Sequence, residues 1–363
     1  MTLRVARAAR RLTDDWRHLV VEPRGSTALG ISFRPLQAEA MGLPPRDTLA
    51  ALLGYEYQLI RLGALWNRME PQAGVFDPAS LDWQVEAAER AGKQIVLAVG
   101  AVKNFGYPEF FVPPHRLQPK LRERSLVTAT SHPELLAGAM SFIARVVERY
   151  RDRKSVVGWQ VEHEPVDPLG NEHSWRLATE FVRQEVDVVR QTDSTRPILI
   201  NGFVPMSLPV ALQQWFRTRD QGDSLSLAES VADIVGVDMY PRHALTGRAG
   251  FGVYLDASES RWNGRLRSLL MKAAAKARVM ITEGQAEPWE SVTNPPNPAS
   301  LAMYSCPPDR VVENYNRCMR LARDSACALE AYLFWGAEYW LLRQKNADPS
   351  YLGAFQRILD LDA

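Results

Sequence analysis

The sequence predicts an α/β fold of one kind, a closed (β/α)8 barrel, and three observations lead there. Eight short apolar runs, each the length of a buried strand, alternate with longer amphipathic segments through most of the chain. The long polar and aromatic stretches follow the runs, whereas the returns from helix to strand are short. The first run closes on Ser32-Phe33-Arg34-Pro35, which lacks the glycine-rich phosphate turn that an open doubly wound sheet carries after its first strand. Alternation of this kind implies right-handed crossovers and a parallel sheet, and eight strands close it.

The elements follow in order. Residues 1–25 are basic and amphipathic and then turn polar, with Pro23 and Gly25, so they are expected to form a peripheral arm or helix. Residues 26–363 are expected to make the barrel as one domain. Its strands are predicted at about Ala28–Phe33, Tyr57–Gly63, Gln94–Gly100, Val156–Glu162, Pro197–Gly202, Asp233–Met239, Arg278–Glu283 and Ala328–Trp335. Helices are predicted to open at Asp47, to carry Leu81, Val85 and Ala88 up to Gly92, and to run over 132–151, 172–190, 265–277 and 309–325. A last helix closes the chain. The stretch after the sixth strand, rich in glycine and aromatics, reads as a loop.

Composition narrows the function. At 363 residues, 46% hydrophobic and 23% charged, the chain is ordinary for a globular protein. A formal net charge of +1 gives no bulk attraction for nucleic acid. No apolar run reaches the length of a membrane span. The basic N-terminus meets Thr13-Asp14-Asp15 where a signal peptide needs its apolar segment, so a cytoplasmic location is expected. Three cysteines without CxxC spacing, Cys306, Cys318 and Cys327, read as reduced thiols. Cys318 and Cys327 are expected on a helix and Cys306 in a proline-rich loop that leaves room for exposure. Ten tryptophans and eleven tyrosines supply rings able to stack on sugars, though most are expected in the core.

The chemistry concentrates at two strand ends. Gly158-Trp159-Gln160-Val161-Glu162-His163-Glu164-Pro165 begins apolar and ends with three ionisable residues in a row, which are expensive to desolvate without partners or work. The seventh strand ends on Thr282-Glu283. Alternation along a strand gives Gln160, Glu162 and Glu164 one parity, all expected to point into the barrel. Strands four and seven are expected to present Glu164 and Glu283 across one mouth, the arrangement a two-carboxylate glycosidase needs. Arg61, ending the second strand, is the candidate cation that keeps an attacking carboxylate ionised, and Tyr240, after the sixth, is a candidate donor to it. Trp335 is a candidate floor for a sugar ring. Asn104, Trp289, Glu338 and Trp340 are read as loop residues and candidate substrate contacts. Glu162 is expected to be a buried partner of an arginine. The remaining histidines are scattered, so a metal site with three or four convergent ligands is not expected, and no cofactor is.

These residues resemble a known group. The pattern is similar to the clan A retaining glycoside hydrolases built on (β/α)8 barrels, most closely the family 42 β-galactosidases. The likeness rests on the fourth-strand run ending in Glu164 and on Thr282-Glu283-Gly284-Gln285 leading to Pro288-Trp289. It extends to Ile60-Arg61-Leu62, Trp66-Asn67-Arg68-Met69-Glu70-Pro71, Gly74-Val75-Phe76-Asp77 and Leu81-Asp82, and covers about residues 28–340. It implies Glu164 as acid/base, Glu283 as nucleophile, Arg61 and Tyr240 as supports of the nucleophile, and Trp335 in the sugar subsite. Two departures stand out. His163 occupies the place of an asparagine that hydrogen-bonds the sugar 2-hydroxyl in the clan, and the family 42 proteins are much longer. The expected function is a retaining O-glycoside hydrolase acting on β-glycosides or short oligosaccharides. A carbohydrate-binding pseudoenzyme is the alternative, if His163 has altered the site beyond catalysis.

Overall fold

The computed structural model describes residues 2–7, 14–106, 109–118, 120–167, 175–205, 208–248, 251–256, 260–288 and 305–362. Eight parallel strands close into the predicted barrel. They are β1 Ala28–Ser32, β2 Leu59–Gly63, β3 Gln94–Ala98, β4 Val156–Gln160, β5 Ile198–Phe203, β6 Ile234–Met239, β7 Arg278–Gln285 and β8 Leu329–Trp335. Burial on both faces, as in the wholly buried β2 and β6, gives these strands continuous apolar runs rather than strict alternation. That is why all eight were visible in the sequence to within about two residues.

The chain divides into two compact units. The first comprises residues 1–58, 204–208 and 238–363. In it β7 pairs with β8 and β8 with β1, with Gln285 beside Trp335 and Phe334 beside Ile31. Behind them helix Pro308–Asp324 buries Val311, Val312, Tyr315 and Cys318, and Tyr315 meets Tyr332 edge-on at 5.5 Å. The last helix of the prediction is two, Ala337–Lys345 and Ser350–Leu359, and Phe355 of the second sits 5.1 Å from Phe334.

Two stretches of this unit are strands. Within the expected peripheral arm or helix, Thr2–Arg7 is a strand. The apolar-polar alternation of Leu3-Arg4-Val5 outweighs the helical spacing of the arginines. It pairs antiparallel with Phe251–Asp256, which pairs in turn with Arg242–Arg248, so the stretch after β6 is a two-stranded ribbon rather than a loop. Arg242 and Asp256 oppose each other in that ribbon and form a buried ion pair at 3.0 Å.

The second unit comprises residues 59–203 and 209–237. In it β2, β3, β4 and β5 pair in sequence. Helix Pro133–Tyr150 turns a stripe of Leu135, Ala139, Phe142, Ile143 and Val146 inward, at the three-and-four spacing of one helix face. The helix expected from 172 begins at Thr179 and runs to Thr192, preceded by a short strand, Arg176–Leu177, that pairs with Leu126–Val127. Cys306, Cys318 and Cys327 are all buried, and no disulfide joins them among the described residues. Cys306 is therefore not exposed, and Cys327 lies between helix and strand rather than on the helix. Among the described residues no helix is long and apolar enough to cross a membrane.

Candidate active site

The end of β4 departs from a strand after Gln160. Glu162 and Glu164 both have positive φ, 57° and 43°, a conformation that costs side-chain-bearing residues energy. The alternation argument therefore fails beyond Gln160: the two carboxylates no longer follow strand parity. Gly100 makes room for the turn, since a Cβ there would lie 2.2 Å from the Glu162 nitrogen.

Partners hold this turn on every side. Glu162 is buried and accepts the main-chain N–H groups of Val102 at 2.9 Å and Lys103 at 2.5 Å. It is a structural carboxylate, as expected, but these partners are backbone amides rather than an arginine. Lys103, 1% exposed, donates from Nζ to the carbonyls of Glu164 at 2.7 Å and Asp167 at 3.2 Å. Asn201 on β5 accepts from the Glu164 nitrogen at 3.3 Å and from Gln160 Nε2 at 3.1 Å. Gln160 in turn accepts from Arg61 Nη1 at 3.2 Å. The Arg61 guanidinium is fully buried and lies over Phe105 at 4.1 Å.

His163 sits between the two strained residues. Because Asn201 Oδ1 takes the two donors, its Nδ2 faces His163 Nδ1 at 2.9 Å. Nδ1 therefore accepts and Nε2 carries the proton. Burial, and then the charges of Arg61 and Lys103, hold the imidazole well below its usual range, so the ring is neutral at neutral pH. Glu164 is buried at the end of this turn.

At the end of β7, Glu283 is buried and its Oε2 accepts the Tyr240 hydroxyl. Thr282 donates to Asp238 on β6 at 2.6 Å. Trp335, ending β8, has the Arg34 guanidinium over its ring at 4.3 Å. Arg34 is the hub of a buried network. It makes two hydrogen bonds to Glu287, at 2.7 and 2.9 Å, and its Nε and Nη2 reach Glu338 Oε2 at 2.9 and 2.6 Å. The Arg34 main-chain nitrogen adds a bond to Glu338 Oε1 at 2.6 Å. Burial raises the Glu338 carboxyl, against the pull of Arg34.

Three of the candidate substrate contacts are occupied elsewhere. Glu338 and Trp340 belong to a helix, not a loop. Glu338 is fully buried on Arg34, and Trp340 is buried against Phe355 with its Nε1 on the Ala286 carbonyl at 2.8 Å. Asn104 does lie in a loop, but its amide binds the carbonyls of Ala64 and Ala98 and its oxygen takes the Phe105 nitrogen. Trp289 lies outside the described residues. Sequence reasoning missed Lys103, Asn201 and Arg34. Each is a polar residue at or just after a barrel strand and is buried; the position was a usable signal, the partner was not.

The comparisons with known proteins bear out the resemblance. The eight-stranded barrel is the fold of the (β/α)8 glycoside hydrolases. Residues 54–183 match the sequence model of a family described as beta-galactosidase, glycoside hydrolase family 42. Beta-galactosidase BgaH of Haloferax lucentense is 31% identical over 123 residues, which are 31% of this chain and 17% of that protein. Among solved structures, GH5_18 from Streptomyces cattleya in complex with GlcNAc aligns over 93% of this chain and 81% of its own, with TM-score 0.58 and 15% identity. Xylanase 10B from Thermotoga maritima aligns over 93% and 96%, with TM-score 0.57 and 14% identity. At such identities these structures establish the barrel alone.

Proposed function

We propose that the protein is a retaining β-glycoside hydrolase, with Glu283 as nucleophile and Glu164 as acid/base. The observation that carries the reading is the hydrogen bond from the Tyr240 hydroxyl to Glu283. A buried carboxylate that accepts a hydroxyl proton is favoured in its ionised form, which an attacking group needs. Glu283 would attack the anomeric carbon while Glu164 protonates the departing oxygen, giving a covalent glycosyl-enzyme. Glu164, now ionised, would take the proton of the water that releases the sugar. Such a double displacement requires the two carboxyl groups about 5–5.5 Å apart.

Several features support the reading. The turn that carries Glu164 is strained and pinned by Lys103 and Asn201, and backbone strain of this kind collects at working sites. The neutral His163 presents an Nε2 proton that suits a sugar hydroxyl, as the asparagine it replaces does. Trp335 would line the sugar subsite, with a β-galactoside or a short oligosaccharide as substrate. Three buried cysteines without a disulfide among the described residues suit a reducing compartment such as the cytoplasm.

The test is a panel of aryl β- and α-glycosides, among them 4-nitrophenyl β-galactoside, offered to the protein and to Glu283→Gln. Turnover by the parent alone supports the assignment, and azide then restores an inverted product with Glu283→Ala. Hydrolysis by Glu283→Ala at the parental rate refutes it. Sugar-dependent thermal stabilisation without turnover by the parent would identify a binding protein instead.

A further inference from the structure

Helix Thr179–Thr192 turns a carboxyl into the protein where its apolar stripe would place an aliphatic side chain. Glu185 lies among Phe181, Val182, Val186 and Val189 on that face and is 0% exposed. Neither of its oxygens meets a hydrogen-bond donor among the described residues, and no cation acts on it. A lone buried carboxylate would be costly, and a native fold retains such a group only with a compensating partner.

That partner is Glu162, the one titratable group among the described residues that acts on Glu185, and it lies within hydrogen-bond reach of it. Two carboxyl groups in contact cannot both be ionised in a dry site. Burial raises both. Glu162 has the amides of Val102 and Lys103 on its two oxygens, with the Lys103 ammonium acting on it from the same loop. Glu185 has burial and the Glu162 charge against ionisation and nothing to offset them. The proton therefore resides on Glu185, and a protonated carboxyl is a donor.

We propose that Glu185 is a positioning residue: its neutral carboxylic acid donates to Glu162 and so fixes the strained turn that presents Glu164. The chain of contacts is continuous. The helix holds Glu162, Glu162 holds the Val102 and Lys103 amides, and the Lys103 side chain holds the Glu164 carbonyl. What the turn presents Glu164 for rests on the glycosidase reading; the shared proton does not.

The experiment compares Glu185→Gln, which keeps a neutral N–H donor, with Glu185→Leu, which keeps only the volume. Infrared spectra of the parent at about pH 8 are expected to show the carbonyl stretch of a neutral carboxylic acid, lost in Glu185→Gln. An unfolded glutamate gives up its proton near 4.5, whereas the folded one keeps it, so this group makes the parent less stable as pH rises above that value. The melting temperature of Glu185→Gln should therefore gain on the parent between about pH 5 and pH 8. Exchange at the Val102 and Lys103 amides should stay parental in Glu185→Gln and quicken in Glu185→Leu by about tenfold or more. On the responding glycoside, kcat should fall about tenfold in Glu185→Leu with KM little changed, and recover in Glu185→Gln. Absence of the infrared band, or identical exchange in the Gln and Leu variants, overturns the proposal. A parent that turns over no glycoside, with the band and the exchange pattern intact, overturns the glycosidase reading and leaves the positioning pair standing.

Discussion

The Lys103 ammonium donates at 2.7 Å to the main-chain carbonyl of Glu164, not to a side chain. A buried lysine is costly to desolvate, and this one spends its donors on the carbonyls of a turn with two positive-φ glutamates. Its own main-chain nitrogen binds Glu162 on the same turn. Lys103 thus grips the turn at two points from the loop after β3.

Replacing Lys103 by methionine keeps the volume and removes the donor. Two buried carbonyls would lose their partner, at about 1–3 kcal/mol. The urea midpoint should fall accordingly, and kcat on the responding glycoside should fall more than KM rises if Glu164 acts as the proposed acid/base. An unchanged kcat in a destabilised variant would show that the clamp serves the fold alone.

Gly100→Ala tests the same turn from the other side. The new methyl would sit 2.2 Å from the Glu162 nitrogen, a backbone atom that cannot swing away. The expected loss exceeds about 3 kcal/mol, seen as a lower melting temperature or insoluble protein.

Tyr240→Phe removes the hydrogen bond to Glu283, the proposed nucleophile. At about 1.5–3 kcal/mol, kcat should fall about 10–100-fold, with a stability change much smaller than that. Steady-state kinetics beside a denaturation curve measure both. A fall in stability with no change in kcat would mean that Glu283 is held rather than tuned.

His163 carries a pH prediction. Its folded-state value is held well below 6.5 by burial, so the unfolded chain binds a proton there that the folded chain does not. The contribution is fully present above about pH 6.5 and is lost as pH falls below it. Melting temperature should drop on that side, and His163→Asn, which does not titrate, should flatten the drop. A parallel pH profile for both proteins would locate the loss elsewhere.

The sequence made the barrel legible because each buried strand announced itself as an apolar run between polar stretches. Strand ends were less legible, since a turn such as Glu162–Glu164 depends on contacts from residues 37 to 61 positions away. Parity predicted where Gln160 points, toward Arg61 and Asn201, and then misled for Glu162, where positive φ breaks the alternation. Glu338 shows the other limit. A glutamate just past a barrel strand reads as a substrate contact until Arg34, 304 residues earlier, is found on it. No local pattern reveals such a pair.

The Arg34 network gives the prediction that separates structural carboxylates from working ones. One guanidinium serves two buried carboxylates, Glu287 and Glu338, so the cluster has no cation to spare. Removing the shared partner leaves two uncompensated buried charges, and Arg34→Met should cost about 3–5 kcal/mol. Glu338→Gln preserves shape and one acceptor oxygen, and the remaining pair of Arg34 with Glu287 is balanced. It should cost less than Arg34→Met and leave KM unchanged, because Glu338 is fully buried. Denaturation curves of the two variants beside KM on the responding glycoside decide the matter. A KM that rises about tenfold in Glu338→Gln at parental stability would return Glu338 to the substrate site. Loss of stability with KM intact would show that Glu338 serves to hold Arg34, the guanidinium that lies over the Trp335 ring.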